Sequence, residues 1–388
     1  MIFLFGTNLI SASTINVTPA TIGASLTAAA DGDILLLGAG TYASGINFQT
    51  GKVITLQGVD KATVIITQAI GLGTSTAVTN CGLLFKDLTI NIAASYFMDG
   101  TIGDLKIIEF NNVVIQNVNR CLLRTGNTTV NTIDLIKFNN CTIKNCGSGG
   151  YNFIYPKHVV KSLEVTNSTL SNYTSGESFF YPNHAAATSN VFTFLFQNNT
   201  VYKWGKDDTR ALCNVRNLYS TASNYVFKNN IMAEPGATLL PKIVIATGGN
   251  LVAEKNLVVN YGTYTMTSAT SSSITDNTLA GLGLSTVGFA DAANGDFSIV
   301  STSPVATAST TAGIIGDPRW LKVVSAPANL TVSAAPVAGG TVSPSSAIYN
   351  QGDNITVTAT RNFGYSFKRW VDGNGALVST ANPYTFTI

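Results

Sequence analysis

The sequence predicts an all-β chain: a right-handed parallel β-helix (a solenoid), followed by a small C-terminal all-β repeat module. Three observations predict it. A short strand pattern carrying an asparagine or aspartate recurs at near-regular spacing. Helical periodicity is almost absent. Only 11% of the 388 residues are charged while 45% are hydrophobic, so Ser, Thr, Asn and Gly must cover the surface of an extended β protein.

The repeated segments are "LLFKDLTI" from residue 83, "IEFNNVVI" from 108, "IKFNNCTI" from 136, "LEVTNSTL" from 163, "FLFQNNTV" from 194 and "YVFKNNIM" from 225. They align Asp87, Asn112, Asn140, Asn167, Asn198 and Asn229, at spacings of 25 to 31 residues. "VAEKNLVV" from 252 is a weaker further copy. Asparagine is disfavoured inside strands but tolerates the left-handed conformation of a tight turn. The recurring amide therefore marks the corner of each coil, where it can bond to the amide of the next. A second strand is expected after each corner: "YFMDG" at 96, "CLLRTG" at 121, "NFIYPK" at 152, "SFFYPN" at 178 and "ALCNVR" at 211.

Residues 1–12 open with an apolar run followed by small residues and read as the remnant of a secretory leader. "IGASLTAAADG", 22–32, is expected to form a short helix that caps the bore. The β-helix is expected over 13–322, a linker over 323–329 and the module over 330–388. No apolar run reaches membrane-spanning length. The net charge of +2, with no Lys/Arg run, argues against a nucleic-acid partner. A monomeric protein, secreted or at the cell surface, is the expectation. Cys81, Cys121, Cys141, Cys146 and Cys213 form no C-x-x-C pair and read as small buried hydrophobes, with a Cys141–Cys146 disulfide left open.

The stretch 21–66, with Ala29, Gly32, Asp33, Ile34, Leu36, Gly40, Thr41 and Tyr42, resembles the first coils of the pectate-lyase-like β-helix superfamily. The middle of the chain and 289–320, ending Asp317-Pro318-Arg319-Trp320, are similar to a narrower group of secreted β-helix proteins of glycan-degrading Gram-negative bacteria. Residues 330–388 resemble the module related to internalin B-repeats, with Gly340, Tyr349, Gly352, Gly364, Tyr365, Phe367, Trp370 and Pro383 as its marks. Such modules act as spacers or adhesive stalks.

The superfamily resemblance implies a site in a groove across the central coils. It also implies β-elimination on an acidic polysaccharide, with Lys or Arg as base and a cation, commonly Ca2+, neutralising the uronate carboxylate. Basic and aromatic residues at the exits of successive strands form the candidate stripe: Arg124, Tyr155, Lys157, His158, Tyr181, His184, Arg210 and Arg216. In "YKWGKDDTR", 202–210, Lys206 and Arg210 are candidate bases, Asp207 and Asp208 (with Glu177) candidate calcium ligands, and Trp204 a sugar-stacking face. Lys157 and His184 are further candidate catalytic groups. Arg124, Tyr155, His158, Tyr181, Trp204 and Arg216 are candidate substrate contacts. Asp99, Asp104, Glu109 and Asp134 read as scattered turn carboxylates, and the absence of a paired-carboxylate motif disfavours hydrolysis. The reading is a polysaccharide lyase-like enzyme acting on a uronate-containing, pectate-like polymer. The alternative is a non-catalytic glycan-binding or adhesive protein on the same scaffold.

Overall fold

A computed structural model describes residues 12–126, 131–173, 177–184, 189–204, 211–215, 219–233, 243–245, 248–259, 264–266, 271–275, 287–323, 327–350 and 353–388. The chain packs as two compact units. One holds residues up to 299 together with 303–321, and the other holds 300–302 and 322–388.

The larger unit is a parallel β-helix. The central coils contribute strands to three sheets, and every strand pair in them is parallel. The first sheet has eleven strands, from Thr14–Val17 to Ser271–Thr275, and the second has nine, from Gly40–Tyr42 to Leu257–Val259. The third sheet is built from Ile70–Gly73, Tyr96–Gly100, Cys121–Thr125 and Ile154–Pro156. Bridges through Phe180 carry it on to Cys213–Val215, Ile243–Ile245 and Tyr264–Met266. The sequence predicts two strands per coil; the structure has three. A segment such as Leu83–Ile90 holds two strands, Cys81–Lys86 and Thr89–Asn91, bent about Asp87. The strands expected directly after the corners are those of the third sheet.

All six aligned corner residues have left-handed backbones, with φ between 51° and 56°, and Lys255 of the weaker copy joins them at 54°. The amides bond from coil to coil: Asn198 Nδ2 donates to Asn167 Oδ1 and Asn229 Nδ2 to Asn198 Oδ1, both at 3.1 Å. One position further on, a second ladder runs inside the wall. Asn199, Asn230 and Asn256 are buried, and each coil's amide oxygen caps backbone and side-chain N–H groups of the coil before it. Buried polar groups are tolerated only when partnered, and stacking supplies the partners.

Facing residues fill the bore in register. Phe85, Phe110 and Phe138 occupy equivalent positions and stack at 5.1 and 4.8 Å. The helix α1 (Ile22–Ala28) buries Ile22 and Leu26 in the same core. All five cysteines are free and buried, so Cys141 and Cys146 are not joined. Cys141 Sγ instead contacts the carbonyls of Phe110 and Asn139.

A strap then runs back along the stack. Thr310 and Gly316 bond Asn229, Asp317 meets Thr200 and Thr169, and Arg319 donates to the carbonyls of Asn140 and Cys141 at 2.6 Å. It thus crosses four coils against the chain direction.

The smaller unit is antiparallel. Ala328–Thr331 pairs with Ser346–Tyr349, Gly340–Ser343 with Asn354–Arg361, and Asn354–Arg361 also with Tyr384–Thr387. Ile355 and Val357 are its buried apolar residues.

Among the described residues no helix is long and apolar enough to cross a membrane.

Candidate functional site

On the third sheet, strand alternation turns one residue per coil outward. Asp99, Arg124 and Tyr155 stand in register on consecutive coils, and Tyr181 follows Phe180, which bridges Ile154. Successive coils lie about 4.8 Å apart, so residues distant in the chain become neighbours on one wall. At this wall a recess of about 490 Å³ is lined by Asp99, Arg124, Tyr151, Tyr155, Lys157 and Asn183, with others.

Arg124 grips both carboxylate oxygens of Asp99, Nε at 2.7 Å and Nη2 at 2.6 Å, and its guanidinium lies 3.8 Å from the Tyr96 ring centroid. The hydrogen bonds to Asp99 raise the Arg124 pKa further, so the group stays cationic throughout. Its third nitrogen, Nη1, is not engaged by Asp99. Both side chains are about one-third exposed, and solvent screens the pair. Arg120 lies 5.0 Å over the Tyr151 ring and donates to the Tyr96 hydroxyl at 3.2 Å. Tyr151 meets Tyr155 edge-on at 5.0 Å, and Tyr155 stacks on Tyr181 at 5.8 Å. Asn183 Nδ2 donates to the Tyr155 hydroxyl at 2.6 Å.

Lys157 leaves the end of strand Ile154–Pro156, exposed, two residues beyond Tyr155 and on the same side. Its backbone N–H is shared between Thr125 O at 3.1 Å and Thr125 Oγ1 at 3.0 Å. No carboxylate pairs with Lys157 among the described residues.

The stripe expected from the sequence is therefore split. Arg124, Tyr155, Lys157 and Tyr181 meet on the outer wall. His158 does not: it is fully buried, because it follows Lys157 on an alternating strand exit and turns inward. Its Nε2 lies 3.0 and 2.9 Å from the carbonyls of Ile102 and Gly103, which fixes the hydrogen there and leaves Nδ1 to accept from the Thr125 hydroxyl at 2.9 Å. His184 is 7% exposed with its ring edge-on to Tyr219 at 5.2 Å, which removes it from the wall. Trp204 is fully buried and stacks on Tyr173 at 4.3 Å, so it offers no face to a sugar. Glu177 is partly buried, and no three potential metal ligands gather among the described residues. Lys206, Asp207, Asp208, Arg210 and Arg216 lie outside the described residues.

Asp99 was expected at a turn, but it lies in strand Tyr96–Gly100 as the partner of Arg124; Glu109 and Asp134 also lie in strands. Tyr96, Arg120, Tyr151 and Asn183 complete the wall and were not foreseen. Aligning "YFMDG" with "CLLRT" places Asp99 over Arg124 and could have shown the pair. Arg120 and Tyr151 lie outside the strands, where no alignment reaches.

Burial holds the His158 imidazole below its ordinary pKa near 6.5, partly offset by the carbonyls of Gly103 and Ile102 and by the charge of Asp104. The folded ring resists a proton that the unfolded chain accepts. Its contribution to stability is thus complete above the ordinary value and is lost as the pH falls below it. The urea midpoint is expected to drop as the pH falls below 6.5. His158→Gln should flatten that slope, whatever its own stability; an unchanged slope would contradict this assignment.

Residues 330–388 match the family model of the divergent InlB B-repeat domain. No curated protein sequence matches the chain. Among solved structures, the PL6 family alginate lyase AlyGC is similar with a TM-score of 0.45 and 13% identity, over 69% of this chain and 39% of that one. A point mutant of the same lyase gives 0.43 and 14%, with the same coverage. The chain spans about two fifths of the length of the lyase it matches.

Proposed function

We propose that the β-helix is a polysaccharide lyase-like, carbohydrate-active domain that holds a uronate-containing polysaccharide along the outer wall of its third sheet. The observation that supports this reading is the recess at Arg124, Tyr155 and Lys157, where cations and tyrosine faces share one stripe. Aromatic faces stack on the C–H surfaces of sugar rings, and fixed cations attract carboxylates. In β-elimination, Lys157 takes the proton α to the uronate carboxylate. The electron pair left behind forms the ring double bond as the glycosidic oxygen departs, and the Tyr155 hydroxyl returns a proton to that oxygen. Arg124 Nη1 meets the carboxylate and stabilises the charge that builds there. Ca2+, held by Glu177, Asp207 and Asp208, would supply further neutralisation of that carboxylate in this reading, in which the protein is a monomer outside the cytoplasm.

The test is incubation with pectate, alginate and glycosaminoglycans, with and without Ca2+, following the ultraviolet absorbance of the unsaturated product. Lys157→Ala should lower turnover by at least about 100-fold with an unchanged circular dichroism spectrum. A second reading, binding without chemistry, is favoured by the Asp99 carboxylate, which already occupies two of the three Arg124 nitrogens. It predicts no absorbance, but retarded migration in a polyuronate gel that Lys157→Ala weakens. Absence of both signals overturns both readings.

A further inference from the structure

We infer that the smaller unit carries a second site for an acidic polysaccharide, independent of the wall on the β-helix. Residues 330–388 contain three cations, Arg361, Lys368 and Arg369, all within nine residues of one another. They share that segment with Phe363, Tyr365 and Phe367, and Trp370 follows directly. The segment forms one side of an open cleft of about 550 Å³, whose other side is formed by residues 331–336 and 339–342.

The electrostatics of the cleft are unbalanced. The carboxylates of 330–388 are Asp353, outside the cleft, and Asp372, which lines it beside the three cations. Asp372 Oδ1 accepts the amides of Asn374 and Ala376 at 2.9 Å, and Asp353 Oδ2 accepts that of Asn350 at 2.8 Å. None of the three cations pairs with a carboxylate among the described residues. All three are exposed. A polyanion is the complementary occupant, because several weak charge contacts on one chain add without any one needing burial.

The aromatic groups narrow the class. Trp370 is fixed by its indole N–H to Ala381 O at 2.9 Å and lies 5.3 Å from Phe367, while Tyr365 is 42% exposed at the cleft. Rigid aromatic faces beside cations in a concave groove suit a sugar chain bearing carboxylates or sulfates. A lipid surface would call for the same groups on a convex face. Phe363 is fully exposed, and Val337, Ile348 and Leu377 are largely so, but none of these four lines the cleft that holds the cations.

The experiment uses the full chain carrying Lys157→Ala, so that the polysaccharide is not cleaved and binding at the β-helix wall is weakened. Retention on immobilised polygalacturonate is measured against salt, with dextran and anionic phospholipid vesicles as comparisons. The Lys157→Ala chain should still bind polygalacturonate in a salt-sensitive way and ignore dextran. Adding Arg361→Gln, Lys368→Gln and Arg369→Gln should weaken it by about tenfold or more and flatten the salt dependence. These residues are exposed, and a matching circular dichroism spectrum confirms the fold. The proposal is overturned if the Lys157→Ala chain does not bind, if the three substitutions change nothing, or if vesicles are bound in preference to the polysaccharide. Failure of the β-helix reading looks different: Lys157→Ala would then leave both binding and turnover as in the parent, while the triple substitution still acts.

Discussion

Asn230→Leu is expected to destabilise the β-helix by about 4 kcal/mol, since each orphaned buried partner costs about 1–3 kcal/mol on its own. The residue is fully buried at the inner corner. Its oxygen accepts the backbone N–H of Asn199 at 2.9 Å and the Asn199 amide at 3.1 Å. Its own amide donates to Phe196 O at 2.8 Å and to Asn256 Oδ1 at 2.7 Å. Leucine fills the space and satisfies none of these groups, so the coils before and after each lose partners. Asn117→Gly is the matched control. Asn117 is an exposed left-handed corner with a single amide bond, to Asn91 Oδ1, and glycine accepts its φ of 62° without strain. It should shift stability by less than about 1 kcal/mol. Urea unfolding of the two variants side by side checks the difference; equal midpoints would mean that the inner ladder holds nothing.

The second large effect is expected at the strap. Arg319 is the counter-charge of Asp317, which is fully buried, and its guanidinium also serves the carbonyls of two coils. Arg319→Ala leaves that carboxylate with the Thr169 hydroxyl and the backbone N–H of residue 319 and is expected to cost about 3 kcal/mol. Adding Asp317→Asn removes the stranded charge and should recover part of the loss. If the double variant is no more stable than Arg319→Ala, the cost lies in the lost carbonyl contacts rather than in the buried charge. Both are read from the thermal midpoint.

The corners were legible because the left-handed turn demands a residue type, and that demand repeats with the coil. Asp87, Asn112, Asn140, Asn167, Asn198 and Asn229 could therefore be aligned by eye. The second corner of each coil follows the same rule at Asn117, Asn145 and Asn172, but Lys203 replaces asparagine there and the pattern fades. The division into three sheets was hidden because the middle strand is as short as Thr89–Asn91 or Val114–Gln116, and no alternation can be read in three residues.

The site was only partly legible, for a different reason. Whether a residue at a strand exit faces outward depends on parity, and one step separates Lys157 on the wall from His158 in the core. Composition made Trp204 and the histidines look like surface chemistry; packing against Tyr173 and Tyr219 and hydrogen bonding to Thr125 placed them inside. The Asp99–Arg124 pair spans 25 residues and exists only because two coils stack in register.

The proposed function requires a sugar chain lying along the third sheet. A crystal soaked with a uronate tetrasaccharide tests this most directly. The predicted result is density over the column Arg124, Tyr155 and Tyr181, with a carboxylate within reach of Lys157 Nζ or Arg124 Nη1. A saturating soak that leaves that wall bare, or places the sugar on the first or second sheet, would contradict it.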